Sequence, residues 1–227
     1  MKIIELDEVD STNEYCKRAD CGEDIIVVAK SQFKGKGTKG RSFISDNGGL
    51  YLSVMRHYTD FKAENAFKIM VNSCVAVCKT LENFGVQPQI RWANDVLIGG
   101  KKICGTLIEN TFSGKYISRS IVGIGININN EIPADLSEIA VSVYEATGKK
   151  PPVDDVCKTL IENLEKEFTI SDYKSYMEWL GEKVLIKTAD GEREVTALNI
   201  MPNGLLKVNE NGEILLISSA EVSLRLK

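Results

Sequence analysis

A single histidine, His57, occurs in the chain of 227 residues. A zinc centre or a Ser-His-Asp triad needs a well-placed imidazole, and His57 lies in a polar stretch after a strand-like segment, where a solvated side chain is expected. Neither chemistry therefore has its usual support. The six cysteines (Cys16, Cys21, Cys74, Cys78, Cys104, Cys157) include no C-x-x-C pair. They fall mostly in apolar patterns and read as reduced, buried small side chains of a cytoplasmic protein. MKIIELDEVD lacks a signal-peptide core, and the longest apolar runs, such as IIVVA and IVGIGI, are far too short to span a bilayer. An excess of positive charge is missing too, since the formal net charge is -4. No global field draws nucleic acid or anionic lipid, so any anion site must be local.

What is present suits one full domain with a small appendage, able to bury a core without disulfides or metal. KIIELDEV reads as a strand leading into STNEYCKRADCG, where Ser11 three residues before Glu14 predicts a capping box and a short helix. DIIVVAKSQ (24 to 32) and GLYLSVMR (49 to 56) are strands on either side of a glycine-rich loop. Ala66, Phe67, Met70, Val71, Cys74, Val75, Cys78 and Leu81 recur at helical spacing within 62 to 84. IRWANDVLI, KKICGTLIENTF and YISRSIVGIGININ read as three consecutive strands, with Gly99 and Gly100 turning the first into the second. PPVDDVCKTLIENLEKEF (151 to 168) is an amphipathic helix opened by proline. From Gly181 onward, short strands alternate with ADG, PNG and ENG turns, the pattern of a small barrel or sandwich. The expected division is 1–180 and 181–227.

GKGTKGRSF (35 to 43) is one letter from the phosphate-loop pattern G-x-x-x-x-G-K-[ST], with Arg41 where lysine belongs. A phosphate loop must feed a helix, whereas SFISDNGGLYLSV is turn-rich and then extended, so that reading fails on context. Gly35, Gly37 and Gly40 open the backbone, and Lys36, Lys39 and Arg41 surround it with cations. The loop is either an anion wrap or an ordinary solvated hairpin tip. RWANDVLIGGKKICGTLIE (91 to 109) sets Asn94 and Asp95 at a turn among apolar residues, with Lys102 entering a strand that contains Gly105. A carboxylate there can hold a Mg2+ that bridges phosphate oxygens, and a lysine can neutralise charge developing at a phosphoryl or acyl centre. The alternative is an Asn-Asp turn beside a surface lysine. In GIGININN (123 to 130), Gly123 and Gly125 permit close approach and Asn127 offers an amide.

GKGTKGR, RWAND, KICGTLIE and GIGIN, preceded by STN, stand in the order of the motifs of biotin protein ligases, and residues 1 to about 130 resemble that family. The C-terminal strands resemble it more weakly. The resemblance implies an α+β fold: a mixed β-sheet with flanking helices, related to class II synthetases, and a small Src-homology-3-like C-terminal barrel. It implies a two-step reaction in which biotin and ATP form biotinyl-5'-adenylate and a lysine of a biotin carboxyl carrier protein then takes the biotin. By position, Ser11, Thr12, Asn13, Gln32, Lys36, Gly37, Thr38 and Lys102 would bind biotin. Lys39, Arg41, Phe43, Asn94, Asp95, Gly105 and Asn127 would face the nucleotide. Lys102 and Arg41 would be catalytic, with Mg2+ held through Asp95 and the phosphates.

Helix capping remains the competing role for Ser11 and Thr12. The chain departs from the family pattern at Arg91, Ala93, Phe43 (usually tryptophan) and Thr38 (usually arginine). A threonine cannot grip an anion with two hydrogen bonds as a guanidinium does, which predicts leakage of the intermediate. The start of the chain at the catalytic region implies no DNA binding, and the family precedent leaves a homodimer open. A lipoate ligase and a non-catalytic biotin or adenylate sensor are the rival readings.

Overall fold

The computed structural model describes residues 1–20, 22–188, 191–219 and 223–225. β1 (Lys2–Val9) and β2 (Ile25–Gln32) run parallel, joined through the short helix α1 (Thr12–Arg18). With β3 (Leu50–Lys62), β4 (Gln89–Arg91), β5 (Asp95–Ile98), β6 (Lys101–Ser113) and β7 (Tyr116–Ile126) they form a seven-stranded sheet in the order β1-β2-β3-β7-β6-β5-β4. All its other pairings are antiparallel, so the sheet is mixed, as the α+β reading expects.

Alternation along the strands sorts the two faces. Val27, Met55 and Ile121 pack with Cys16 of α1 on one face. Ile26, Val54, Val122 and Ile124 point the other way into the larger core. That core is covered by α2 (Phe67–Asn83), α4 (Val153–Leu164) and α5 (Ile170–Ser175), with α3 (Val143–Thr147) close by. The short α1 leaves part of its face open, and the site lies there.

Several sequence expectations need correction. IRWANDVLI is a hairpin, β4 and β5, because Trp92, Ala93 and Asn94 form the turn between two short strands. The helix expected over 62 to 84 starts only at Phe67, since β3 continues to Lys62 and a 3-10 turn, Ala63–Asn65, intervenes. Likewise α4 stops at Leu164, short of Phe168. Ser11 takes the N-cap position of α1 but its side chain makes no cap bond, so the capping box is absent. Glu14 is drawn instead to Lys17 at 2.8 Å and Lys36 at 2.6 Å, because two ammonium groups offer a carboxylate more than one neutral amide does. His57 lies within β3, and its ring faces Asp20 at 3.0 Å and Asp24 at 3.4 Å rather than open water. The described cysteines are free, and Cys16, Cys74, Cys78 and Cys104 are buried. Cys21 lies outside the described residues.

β8 (Lys183–Thr188), β9 (Gly191–Ile200), β10 (Leu206–Glu210), β11 (Glu213–Ile217) and β12 (Ser223–Arg225) form a second, antiparallel sheet in the order β11-β10-β9-β8-β12. Its tight hairpin between β10 and β11 places Asn211 at φ 53° and Gly212 at φ 94°, the left-handed pair that an Asn-Gly turn supplies. Of the ADG turn, Ala189 and Asp190 lie outside the described residues, as do Glu221, Val222 and Leu226 of EVSLRL.

One apolar cluster runs through both sheets, linking Val184, Ile186 and Leu206 with Trp92, Tyr173 and Trp179. One indole ties the two sheets polarly as well, Trp92 Nε1 donating to Gly204 O at 2.9 Å, and Trp179 Nε1, shortly before β8, donates to Ile90 O of β4 at 2.7 Å. The hairpin carrying Asn94 and Asp95 is thereby pinned from behind. Among the described residues no helix is long and apolar enough to cross a membrane.

Candidate active site

On the α1 face, a cleft opens between the start of α1, the glycine loop, the β4–β5 hairpin and the middle of β6 and β7. Its floor is bare because glycines meet there: Gly105 of β6 pairs with Gly125 of β7, and Gly123 pairs with Ser53 of β3. The floor is already covered by other groups. A Cβ at Gly125 would come within 2.6 Å of the Phe43 ring, and one at Gly105 within 2.9 Å of Lys102 Nζ. Phe43 thus lies over the two paired glycines, edge-on to Tyr51 with ring centroids 6.4 Å apart.

At one end the lining is polar and buried. Ser11, Thr12 and Asn13 are each nearly inaccessible. Gln32 Oε1 accepts from the Thr12 amide at 2.8 Å and the Thr12 hydroxyl at 3.1 Å, while Gln32 Nε2 donates to Ser45 Oγ at 2.8 Å. The Ser53 hydroxyl is shared between Thr12 Oγ1 at 2.7 Å and Asn13 Oδ1 at 2.6 Å. Asn13 Nδ2 donates to Glu109 Oε2 at 2.8 Å. Thr12 therefore faces the cleft network rather than capping its helix.

At the other end sits a compact ion triad. Asp95 receives Lys102 Nζ at 2.6 Å and Arg91 Nη2 at 2.7 Å. Burial alone would push the Asp95 carboxyl up, but the two cations outweigh it and hold its pKa below the ordinary value of 3.8. Lys102 Nζ stands 5.9 Å from the Phe43 ring centroid, over the glycine floor. Asn94 Nδ2 donates to Thr106 O at 2.9 Å, which fixes the hairpin on β6.

The glycine loop is itself a small hairpin: Phe43 N donates to Gly35 O at 2.9 Å and Gly37 N to Arg41 O at 2.7 Å. At its tip Lys39 has φ 58° and Gly40 φ 73°, a left-handed pair that closes the turn. Gly35 cannot be larger, since a Cβ there would lie 2.5 Å from Ser45 Oγ.

Of the residues named from sequence, Ser11, Thr12, Asn13, Gln32, Lys36, Gly37, Thr38, Phe43, Asn94, Lys102 and Gly105 line the cleft. Asp95 stands just behind as the partner of Lys102. Lys39 and Arg41 are exposed on the loop and do not line the cleft. Asn127 does not line it either: its Nδ2 donates to Val141 O at 3.3 Å and its Oδ1 accepts from Asn130 at 3.2 Å, so its amide holds its own loop together. Ser53 and Glu109 received no role from sequence. The signal for Ser53 is a lone hydroxyl in the apolar strand LYLSVM, and Glu109 is the last residue of KICGTLIE.

Among the described residues no three His, Cys, Asp or Glu side chains are grouped to hold a metal ion. With the Asp95 carboxylate already shared by two cations, these residues do not fit a resident Mg2+.

The cleft thus joins a buried polar end to a glycine floor over which Phe43 and Lys102 lie. The sequence profile of the Biotin/lipoate A/B protein ligase family matches residues 6–127, and the chain belongs to that family. Among solved structures it is similar to the biotin protein ligase of Aquifex aeolicus in complex with biotin and ATP. The two share 33% identity over 100% of this chain and 99% of that one, with a TM-score of 0.82. It also resembles the Leishmania major biotin protein ligase in complex with biotinyl-5-AMP (26% identity, 96% of this chain and 99% of that one, TM-score 0.65). The bifunctional ligase/repressor BirA of Bacillus subtilis is 31% identical over 89% of this chain, which spans 66% of that relative's length.

Proposed function

We infer that the chain is a biotin–protein ligase, which activates biotin as biotinyl-5'-adenylate and transfers it to a lysine of a biotin carboxyl carrier protein. In the first step a biotin carboxylate oxygen attacks the α-phosphorus of ATP and the bond to pyrophosphate breaks. In the second the neutral amine of the acceptor lysine attacks the acyl carbon, AMP departs with the C–O bonding pair, and the amine proton passes to solvent. No protein nucleophile is required.

The observation that carries this reading is the pairing of Lys102 with Asp95 above the Gly105–Gly125 floor, at the opposite end of the cleft from Ser11, Thr12, Asn13 and Gln32. The amide-rich end suits a ureido ring, which offers both donors and acceptors, whereas the dithiolane of lipoate offers neither a donor nor a good acceptor to it. The biotin chain then directs its carboxylate toward Lys102. Two anions must meet there, and a lysine oriented by a buried carboxylate supplies positive charge without reorganising during the reaction. Lys36, held at 2.6 Å by Glu14, exchanges that partner for ligand oxygens. Arg41 and Lys39 join only when the loop folds over the nucleotide, and Phe43 lifts from the glycine floor to stack on the base. Asp95 acts through Lys102.

Incubating the protein with ATP, biotin and a purified carboxyl-carrier domain, with lipoate as the competing acid, tests both steps. ATP-dependent addition of biotin to the carrier is expected. Lipoylation alone, or biotin adenylate without transfer, would overturn the assignment.

A further inference from the structure

Glu109 carries no role in the chemistry above, yet it stands at the end of the polar network that lines the cleft. It projects from β6 on the same face as Gly105 and Leu107, two residues apart at each step. Its two oxygens are separately engaged: Oε2 accepts from Asn13 Nδ2 at 2.8 Å, and Oε1 accepts from Lys17 Nζ at 2.7 Å. Lys17 lies one helical turn beyond Asn13 on α1 and also reaches Glu14 at 2.8 Å.

An amide side chain can present either end, and the backbone of α1 does not decide which. A carboxylate can only accept, so it admits one orientation of Asn13, with the NH2 toward β6. The Asn13 oxygen is then forced toward Ser53 Oγ, 2.6 Å away, and the Ser53 hydroxyl continues the network to Thr12 and so to Gln32. Gly123 leaves the room for this, because any Cβ there would press on the Asn13 amide, 3.0 Å from its Cγ.

We propose that Glu109 is a positioning residue: it fixes the orientation of the Asn13 amide, and with it the donor and acceptor pattern that the cleft offers the ureido group of biotin. This rests on the biotin-ligase reading of the cleft. Lys17 engages the other oxygen of Glu109 and does not set the amide.

The test is a double-mutant cycle on adenylation kinetics with saturating ATP, comparing wild type, E109A, N13A and E109A/N13A. A charge-assisted hydrogen bond is lost, so E109A is expected to raise the KM for biotin roughly ten- to hundredfold while kcat changes by less than about threefold. Since Glu109 works through Asn13, adding E109A to N13A should cost no more than about twofold beyond N13A alone. E109Q, whose amide can turn either end to Asn13, should recover only part of the affinity, and K17M should stay within about threefold of wild type. E109M, which fills the same volume without an acceptor, repeats the cycle if E109A does not fold. Additive effects, an equal fall in kcat, or K17M reproducing E109A would each overturn the proposal. A wild-type protein without biotin adenylation would overturn the ligase reading instead, so the two failures are distinct.

Discussion

Gly123→Ala is a one-methyl probe of the floor beneath Asn13. The backbone of β7 is extended at this position, so alanine meets no conformational strain there and the whole effect comes from contact. The added Cβ would lie 3.0 Å from Asn13 Cγ and 3.2 Å from Nδ2. Ordinary carbon contacts begin near 3.5 Å and the amide oxygen is closer still, so the amide must retreat by about 1 Å. That displacement breaks the 2.6 Å bond from Ser53 and the 2.8 Å bond to Glu109.

A neutral hydrogen bond contributes about 1 kcal/mol and one to a carboxylate about 1.5–3 kcal/mol. Glu109 keeps Lys17 and is 33% exposed, so water takes over part of the lost partner and the lower end applies. About 2 kcal/mol is then removed from the biotin pocket, or roughly a thirtyfold loss of affinity. Stability falls less, because alanine in a strand recovers about 0.5–1 kcal/mol of backbone entropy relative to glycine. Titration calorimetry with biotin, alongside a thermal melt, measures both. Gly125→Ala is the internal comparison: its Cβ meets the Phe43 ring at 2.6 Å, and that ring sits on a loop that can yield. Biotin affinity within about threefold of wild type in Gly123→Ala would refute the contact argument.

Lys102→Ala should lower the rate of biotin adenylate formation by about two orders of magnitude or more, with biotin binding much less affected, as single-turnover kinetics would show. Thr38→Arg restores a forked donor to the glycine loop and should slow dissociation of the bound adenylate, measured by chase with unlabelled biotin and ATP. The Asp95 carboxyl has a pKa lowered in the folded protein, so its contribution is present above the unfolded value of 3.8 and is lost as pH falls through the lower folded value. Asp95→Asn should accordingly flatten the acid limb of the stability profile, followed by urea melts from neutral pH downward, and should weaken activity by releasing Lys102.

Local chemistry made much of this protein legible in its sequence. Asn-Gly at 211–212 permits the positive φ that a tight hairpin needs, and the apolar spacing within Phe67–Asn83 can bury one face only as a helix. The family motifs, read in order, pointed to both ends of the cleft. Other features depended on partners distant in the chain. Ser11 and Glu14 have the spacing of a capping box, yet Glu14 turns to Lys36 because the loop brings a second ammonium within 2.6 Å. Asn127 has the right motif position but spends its amide on Val141 and Asn130.

By itself, then, the sequence determined most of the strands, the two long helices and the family of the chain, since these depend on near neighbours and on backbone freedom. Only the tertiary structure decided that Asp95 belongs to Lys102 and Arg91, and that Asn13 answers to Glu109 across 96 positions of chain. Hydrogen bonds and ion pairs act over about 3 Å in space and carry no trace of that distance along the chain.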